Sequence, residues 1–178
     1  MDLINDLGHT LEEPVTLCLA NLMHCKTLSV PIEKEQFLSS WFEQGCSNLS
    51  HMQMVLKDLD DDLHKDYTYF TRIYKYAFEL ILDEGEKTIT SETAIEYWNL
   101  FFDPQYLVHV QPSQLESWYQ FIKEERKEHI TKDCWDMILL FFKKYSTLGE
   151  LANNYNQHDP WPYIIDEYYE YLEDNKRI

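Results

Sequence analysis

Three acidic stretches of this chain carry residue types that could bind calcium. An EF-hand loop needs oxygen ligands at its first, third and fifth positions, a glycine at the sixth and a glutamate at the twelfth. The stretch DLDDDLHKDYTY from Asp58 supplies the first three acids but has Leu63 and Tyr69 at the two later positions. The stretches that start at Asp83 and Asn156 also lack essential ligands. We therefore predict no calcium site and expect the acid run from Asp58 to be a solvated helix face.

The cysteines and histidines could bind zinc or supply a nucleophile. His24, Cys25, Cys46 and His51 show neither C-x-x-C nor H-x-x-E-H spacing, so no zinc site is predicted. Cysteines on amphipathic helices usually pack as small apolar side chains. A thiol enzyme that uses Cys46 or Cys134 remains an alternative, because a neighbouring base that would activate the thiol cannot be read from spacing. No cofactor is predicted.

Composition narrows the classes of partner. The chain has 178 residues, a net charge of −17 and many aromatic side chains, 13 Tyr, 9 Phe and 5 Trp. Such a charge argues against a nucleic-acid or anionic-membrane surface, and it is typical either of a chain that binds basic proteins or of one whose charge only keeps it soluble. The longest apolar run, MILLFF, is far shorter than the ~20 residues of a membrane span, and the first residues lack a signal peptide's basic region. Four scattered cysteines are typical of a reducing compartment, which predicts the cytoplasm and nucleus.

Helical periodicity runs through the chain and predicts the elements that position these side chains. Apolar residues recur at helical spacing around Phe70, Trp118 and Trp135, and strand-length alternation is missing. No linker rich in glycine or proline divides the sequence. We predict one compact all-α domain of about nine helices: 10–25, 32–44, 48–64, 66–82, 91–102, 113–128, 132–145, 147–155 and 162–174.

Residues at the helix ends support these boundaries. Ser113 and Glu116 have the spacing of a capping box, and Thr131 is suited to cap the next helix. Gly45 and Gly85 stand where helices are expected to stop.

The last helix has an unusual distribution of side chains. Pro162 suits its first position, and the expected buried stripe comprises Trp161, Ile165, Tyr168 and Leu172. Four carboxylates gather on an adjacent face: Asp166, Glu170, Glu173 and Asp174. Periodicity alone allows two interpretations, ordinary amphipathicity or a surface for a basic partner.

Four segments together resemble one known family. ITKDCWDMILLFFKKY, with Asp133 two residues before Trp135, is followed by WPYIIDEYYEYL, which begins at Trp161. EQFLSSWFEQGC, which ends at Cys46, and AIEYWNLFF, which starts at Ala94, fit the same pattern. The chain resembles the defective-in-cullin-neddylation co-ligase family through its potentiating-neddylation domain, and it is most similar to a fungal-type member.

The resemblance implies a fold and two protein partners. The fold would be two EF-hand-like helical units without calcium sites. An acidic patch would bind the winged-helix region at the cullin C-terminus. The family's Asp-Ala-Asp patch falls here on Asp133, Pro160 and Asp166, so proline replaces the middle alanine, and Glu170 belongs to the same acidic surface.

A hydrophobic pocket would bind the acetylated N-terminal methionine of the neddylation conjugating enzyme. Burial of that methionine side chain contributes ~1.5–3 kcal/mol, and acetylation removes an ammonium that is costly to bury. The resemblance places the pocket at seven residues: Leu19, Met23, Val30, Ile32, Leu80, Tyr97 and Leu100.

The resemblance predicts a non-catalytic, monomeric scaffold that presents the charged conjugating enzyme to a cullin lysine. Residues 1–178 would form the potentiating-neddylation domain, starting inside its first part and without a ubiquitin-associated domain. A degenerate EF-hand calcium sensor and a general acidic adaptor for a basic protein are the alternatives.

Overall fold

The computed structural model describes residues 3–178, which form two units that divide between Glu84 and Gly85. The regular secondary structure of the described residues is almost entirely helical. The first unit contains α1 to α5: Leu3–Asp6, Val15–Leu22, Lys34–Glu43, Leu49–Lys65 and Tyr67–Ile81. The second contains β1 (Thr88–Thr90), α6 (Ser91–Phe101), α7 (Pro112–Glu124), β2 (His129–Thr131), α8 (Lys132–Lys144), α9 (Leu148–Asn154) and α10 (Tyr163–Asp174).

In the first unit, α2 packs against α4 and α5, and α4 packs against α5. The side chain of Asn48 caps α4 by accepting from the His51 amide at 3.0 Å. Asp66 caps α5 in the same way and accepts from the Thr68 amide at 2.8 Å. The Asn48 cap therefore defines the start of α4, and the Asp66 cap defines the turn between α4 and α5.

In the second unit, a two-stranded antiparallel sheet joins the segments before α6 and α8. Ile89 pairs with Ile130, and both side chains are buried. Thr131 ends β2 and caps α8, where its hydroxyl accepts from the Cys134 amide at 3.1 Å. The sheet therefore fixes the first turn of α8, which carries Asp133.

Aromatic side chains fill the core of the second unit and hold α10 against α7 and α8. Trp98 stacks on Trp135 with 5.6 Å between ring centroids, and the Tyr168 ring meets Trp118 edge-on at 5.1 Å. The Tyr168 hydroxyl lies within hydrogen-bonding distance of the hydroxyl of buried Ser117. Each such aromatic pair contributes about 0.5–1.5 kcal/mol beyond its buried area.

Contacts with side chains of α8 hold the loop between α9 and α10 in place. The Lys144 ammonium donates to Asp159 at 2.7 Å and lies 5.6 Å from the ring centroid of Trp161. Trp161 packs edge-on against Phe141 at 5.6 Å. The entrance to α10 is therefore held by an ion pair and by aromatic contacts with α8.

The helical fold class and the positions of all nine expected helices are confirmed. The EF-hand-like arrangement of the two units stays a prediction. The first expected helix is shorter than 10–25 and begins at Val15, and α1 was not expected. Both strands were missed because three residues are too few to show alternation. Within the described residues, no helix is long and apolar enough to cross a membrane.

Two expected helix ends are wrong. Helix α7 begins at Pro112 and has no side-chain cap, so Ser113 lies inside the first turn and forms no capping box with Glu116. Helix α5 ends at Ile81, and Gly85 lies in the following turn instead of ending the helix. Thr131 is confirmed as a cap, and Gly45 has φ +69° directly after the end of α3.

The buried face of the last helix is the expected one, with two differences. Ile165, Tyr168 and Leu172 are buried as expected, whereas Trp161 is only half-buried. Pro162 lies just before the helix at its cap position, with φ −57° and ψ 143°, instead of occupying the first helical position.

We predict that Trp118→Ala lowers the free energy of unfolding by about 3–5 kcal/mol, because it removes a fully buried aromatic side chain. Tyr163→Ala is the matched control: Tyr163 is 74% exposed, and its loss should change the value by less than about 0.5 kcal/mol. Urea unfolding followed by far-ultraviolet circular dichroism measures both. Equal losses for the two variants would contradict this packing.

The Lys144–Asp159 pair predicts a defined dependence of stability on pH. The ion pair lowers the pKa of Asp159 below its usual value of 3.8 and raises the pKa of Lys144 above 10.5. The carboxylate's contribution to stability is therefore present above its unfolded pKa and is lost as the pH falls through its folded pKa. The ammonium's contribution is present below its unfolded pKa and is lost as the pH rises through its folded pKa.

We expect Lys144→Met to lower the melting temperature relative to wild type over about pH 5–9, and the difference to close as the pH falls below 3.8 and Asp159 becomes protonated. Lys123→Met removes the same charge from the exposed surface of α7 and serves as the control. A Lys144→Met difference that matches the control at every pH would show that the ion pair does not stabilise the fold.

Candidate functional site

The expected acidic residues lie on the surface of the second unit. Asp133 is exposed in the first turn of α8, where a carboxylate interacts favourably with the helix dipole. Pro160 is exposed in the loop before α10, and Glu170 is exposed on α10 itself. Asp166 is half-exposed in the first turn of α10. None of these residues belongs to the buried core, so each is available to a partner.

Contacts between α8 and the segment before α10 fix the position of Pro160 along α8. Trp161, the residue after Pro160, packs against Phe141 and lies 6.3 Å from the ring of Tyr145. Asp133 precedes Phe141 by eight residues, or about 12 Å along the helix axis. The structure thus ties Pro160 to the second half of α8 and places Asp133 at the opposite end of the same helix.

The Asp166 carboxylate is held by a tyrosine. Its Oδ1 atom accepts a hydrogen bond from the hydroxyl of Tyr155, which lies directly after α9. Sequence reasoning missed this contact, because nothing in the spacing of the two residues indicates that the loop folds back onto α10. The acid that was expected to point at a partner therefore has a fixed hydrogen-bond donor.

An acidic cleft of about 230 Å³ lies beside α10 and was also missed. Phe121 and Tyr171 form its apolar wall, and its carboxylates are Glu125, Glu167, Glu170 and Asp174. Glu167 is paired with Lys127 at 2.9 Å. The cleft extends the negative surface of α10 toward the end of α7.

The first unit contains a cavity of about 300 Å³ where two of the expected pocket residues meet. Val30 and Ile32 line it, together with His24, Cys25, Pro31 and Gln36. Gln36 donates a hydrogen bond to the carbonyl of Met23, and the Leu28 amide donates to the carbonyl of Leu80 at 3.2 Å. The wall of the cavity is therefore tied to the ends of α2 and α5.

The other expected pocket residues have different surroundings. Leu19, Met23 and Leu80 are buried in the first unit. Tyr97 and Leu100 lie on α6 of the second unit and are half-buried. Burial raises the pKa of Tyr97, so its hydroxyl stays protonated at neutral pH. The seven-residue pocket as a whole stays a prediction.

The potential metal ligands and thiols of residues 3–178 are dispersed. No group of three or more His, Cys, Asp or Glu side chains in this range is placed to hold a metal ion. The expected acid run lies on α4 as part of a continuous helix. Burial raises the pKa of Cys134 to about 12, and it also raises the pKa of Cys46. Neither thiol has the lowered pKa of an activated nucleophile.

One family model and several known proteins match this chain. A family model described as "Cullin binding" matches residues 51–171. Defective in cullin neddylation protein 1 of Saccharomyces cerevisiae is 50% identical over 97% of this chain and 64% of its own length. The protein of the same name from Eremothecium gossypii is 39% identical over 98% of this chain and 69% of its own length. DCN1-like protein 2 of Dictyostelium discoideum is 27% identical over 98% of this chain.

The chain spans less than two thirds of the length of the Saccharomyces relative, so the match concerns a part of that protein. The matched range 51–171 includes Asp133, Pro160, Asp166 and Glu170. The resemblance inferred from the four sequence segments is confirmed, and the chain belongs to the cullin-binding family of defective-in-cullin-neddylation proteins.

Proposed function

We propose that this chain is a co-ligase for cullin neddylation that binds a cullin and the neddylation conjugating enzyme at the same time. The family match over residues 51–171 is the observation that carries this proposal. The names of the relatives from Saccharomyces and Eremothecium, which refer to cullin neddylation, support it.

The second unit would bind the winged-helix region at the cullin C-terminus. Asp133, Asp166 and Glu170 are at least partly exposed on helices, and a chain with a net charge of −17 attracts a basic surface. Each aspartate would pair with a lysine or arginine of the cullin. Truncation of one partner of a desolvated charge pair typically costs ~2–5 kcal/mol of binding free energy. Exposed Pro160 would add an apolar contact to the partner.

The first unit would bind the acetylated N-terminus of the conjugating enzyme. Its cavity of about 300 Å³ has room for a methionine side chain, and Val30 and Ile32 give it an apolar lining. Burial of the methionine would contribute ~1.5–3 kcal/mol. An unacetylated ammonium would weaken binding because a buried charge without a partner is costly. Leu19, Met23 and Leu80 of the same unit would complete the proposed pocket.

The chain would act as a scaffold without forming a bond to the modifier. Both candidate thiols have raised pKa values, which does not favour thioester chemistry on Cys46 or Cys134. Transfer of the modifier would be faster because the chain holds the charged conjugating enzyme close to the acceptor lysine. Proximity and restricted orientation can lower the activation free energy by about 7–11 kcal/mol in the most favourable cases.

We further propose that the protein acts as a monomer in the cytoplasm and nucleus.

Single-turnover transfer from the charged conjugating enzyme to a cullin C-terminal domain tests the co-ligase role. Wild-type protein should accelerate the transfer, and Asp133→Lys/Asp166→Lys should abolish at least nine tenths of that acceleration, because the cullin contact would become repulsive. Asp58→Lys/Asp61→Lys makes the same charge change on the exposed face of α4 and should keep most of the acceleration.

Three outcomes of that assay are informative. Equal loss in both double variants would indicate a general electrostatic effect, as expected of a general acidic adaptor. Full acceleration by Asp133→Lys/Asp166→Lys would place the cullin contact elsewhere. Absence of acceleration by the wild type would contradict the co-ligase proposal.

A second prediction concerns the cavity of the first unit. Val30→Asp should weaken binding of an N-acetylmethionyl peptide from the conjugating enzyme at least tenfold, because a carboxylate would then line the methionine site. Val30 is 61% exposed, so the free energy of unfolding should change by less than about 0.5 kcal/mol. Fluorescence anisotropy measures the affinity and urea unfolding the stability.

Leu38→Asp is the control for the cavity, because Leu38 on α3 is 54% exposed and does not line it. It should bind the peptide with the affinity of the wild type. If Val30→Asp and Leu38→Asp bind equally well, the peptide does not use this cavity.

A further inference from the structure

Tyr155 connects α9 and α10 at the edge of the proposed cullin surface. It caps the C-terminus of α9, where its amide donates to the carbonyl of Leu151 at 3.0 Å. Its ring stacks on Tyr169 of α10, with 4.3 Å between centroids and 14° between planes. Its hydroxyl donates to Oδ1 of Asp166. The ring and the hydroxyl therefore both contact the first two turns of α10.

The surrounding structure fixes Tyr155 in this place. The Tyr145 ring lies 6.0 Å from the Tyr155 ring, and the Tyr145 hydroxyl donates to the carbonyl of Asn154 at 3.2 Å. The Lys144–Asp159 ion pair holds the loop four residues later. Burial and the adjacent Asp166 carboxylate both raise the pKa of Tyr155, so its hydroxyl stays protonated and donates throughout the neutral range.

The acids around α10 are held by two different kinds of partner. Asp159 and Glu167 each form an ion pair with a lysine of this chain, at 2.7 and 2.9 Å. Within residues 3–178, Asp166 forms no such pair and is held by a neutral hydroxyl. A lysine would neutralise most of the carboxylate's field, whereas a hydroxyl orients the side chain and leaves its formal charge available to a partner.

We infer that Tyr155 is a positioning residue for the cullin contact: it holds the Asp166 carboxylate in one orientation while leaving that carboxylate free to pair with a lysine or arginine of the cullin. This inference rests on the proposed function. A carboxylate that is already ordered loses less side-chain entropy on binding than a freely rotating one. Tyr155 would thus favour partners whose cation meets the carboxylate in that fixed geometry.

The test measures the dissociation constant of the full chain for a purified cullin C-terminal winged-helix region by isothermal titration calorimetry. Tyr155→Phe keeps the stacked ring and removes only the hydroxyl. It should weaken binding about threefold to tenfold, the cost of ordering one side chain on binding. Tyr169→Phe removes a hydroxyl from the other ring of the same stack and should stay within twofold of wild type.

The Asp166→Ala background separates positioning from general structural support. If Tyr155 acts through Asp166, Tyr155→Phe should have no further effect in Asp166→Ala, because no carboxylate remains to be oriented. Equal weakening in both backgrounds would overturn the inference, since it would mean that Tyr155 supports the loop independently of Asp166. Unchanged affinity of Tyr155→Phe in the otherwise wild-type chain would also overturn it.

The same titrations identify a failure of the proposed function. Absence of cullin binding by wild type, or wild-type affinity of Asp166→Ala, contradicts the proposed cullin site and the inference with it. Binding that requires Asp166 but not the Tyr155 hydroxyl contradicts only the positioning role.

Discussion

The contact of Tyr168 with Trp118 is the interaction on which the candidate site depends. It joins the middle of α10 to the middle of α7, with ring centroids 5.1 Å apart, and both side chains are fully buried. The Tyr168 hydroxyl reaches Ser117 and the carbonyl of Gln114, so its polar end is also satisfied. Asp166 and Glu170 lie two residues before and after Tyr168, and their positions on the surface follow from this anchor.

The periodicity of the sequence predicts the helices, but it does not predict which polar side chains are buried in the core. Ser117 and Gln114 are buried in α7, although their residue types suggest a solvated face. Gln114 donates to the carbonyl of Tyr145 at 2.8 Å, and this carbonyl lies at the end of α8, where no helical partner is available. Such pairings join residues 31 or more positions apart, and periodicity carries no information about them.

The surface positions of the expected acids were predictable from the sequence, whereas their hydrogen-bond and ion-pair partners were not. The four segments that resemble the family identified the acids Asp133 and Asp166, and both lie at the surface. The tertiary fold decides which acids keep their charge available. Asp159 and Glu167 pair with lysines 15 and 40 positions away, whereas Asp166 receives the hydroxyl of Tyr155. The number of acids in α10 therefore overstates the charge that its surface can offer to a partner.

Amide hydrogen exchange with and without a cullin winged-helix region tests the central claim most directly. A partner that covers the acids of the second unit should slow exchange at the start of α8 and across the loop and first turns of α10, while the amides of α4 keep their rates. Protection of the acidic face of α4, with unchanged rates in α8 and α10, would contradict the claim that the cullin binds the second unit through Asp133 and Asp166.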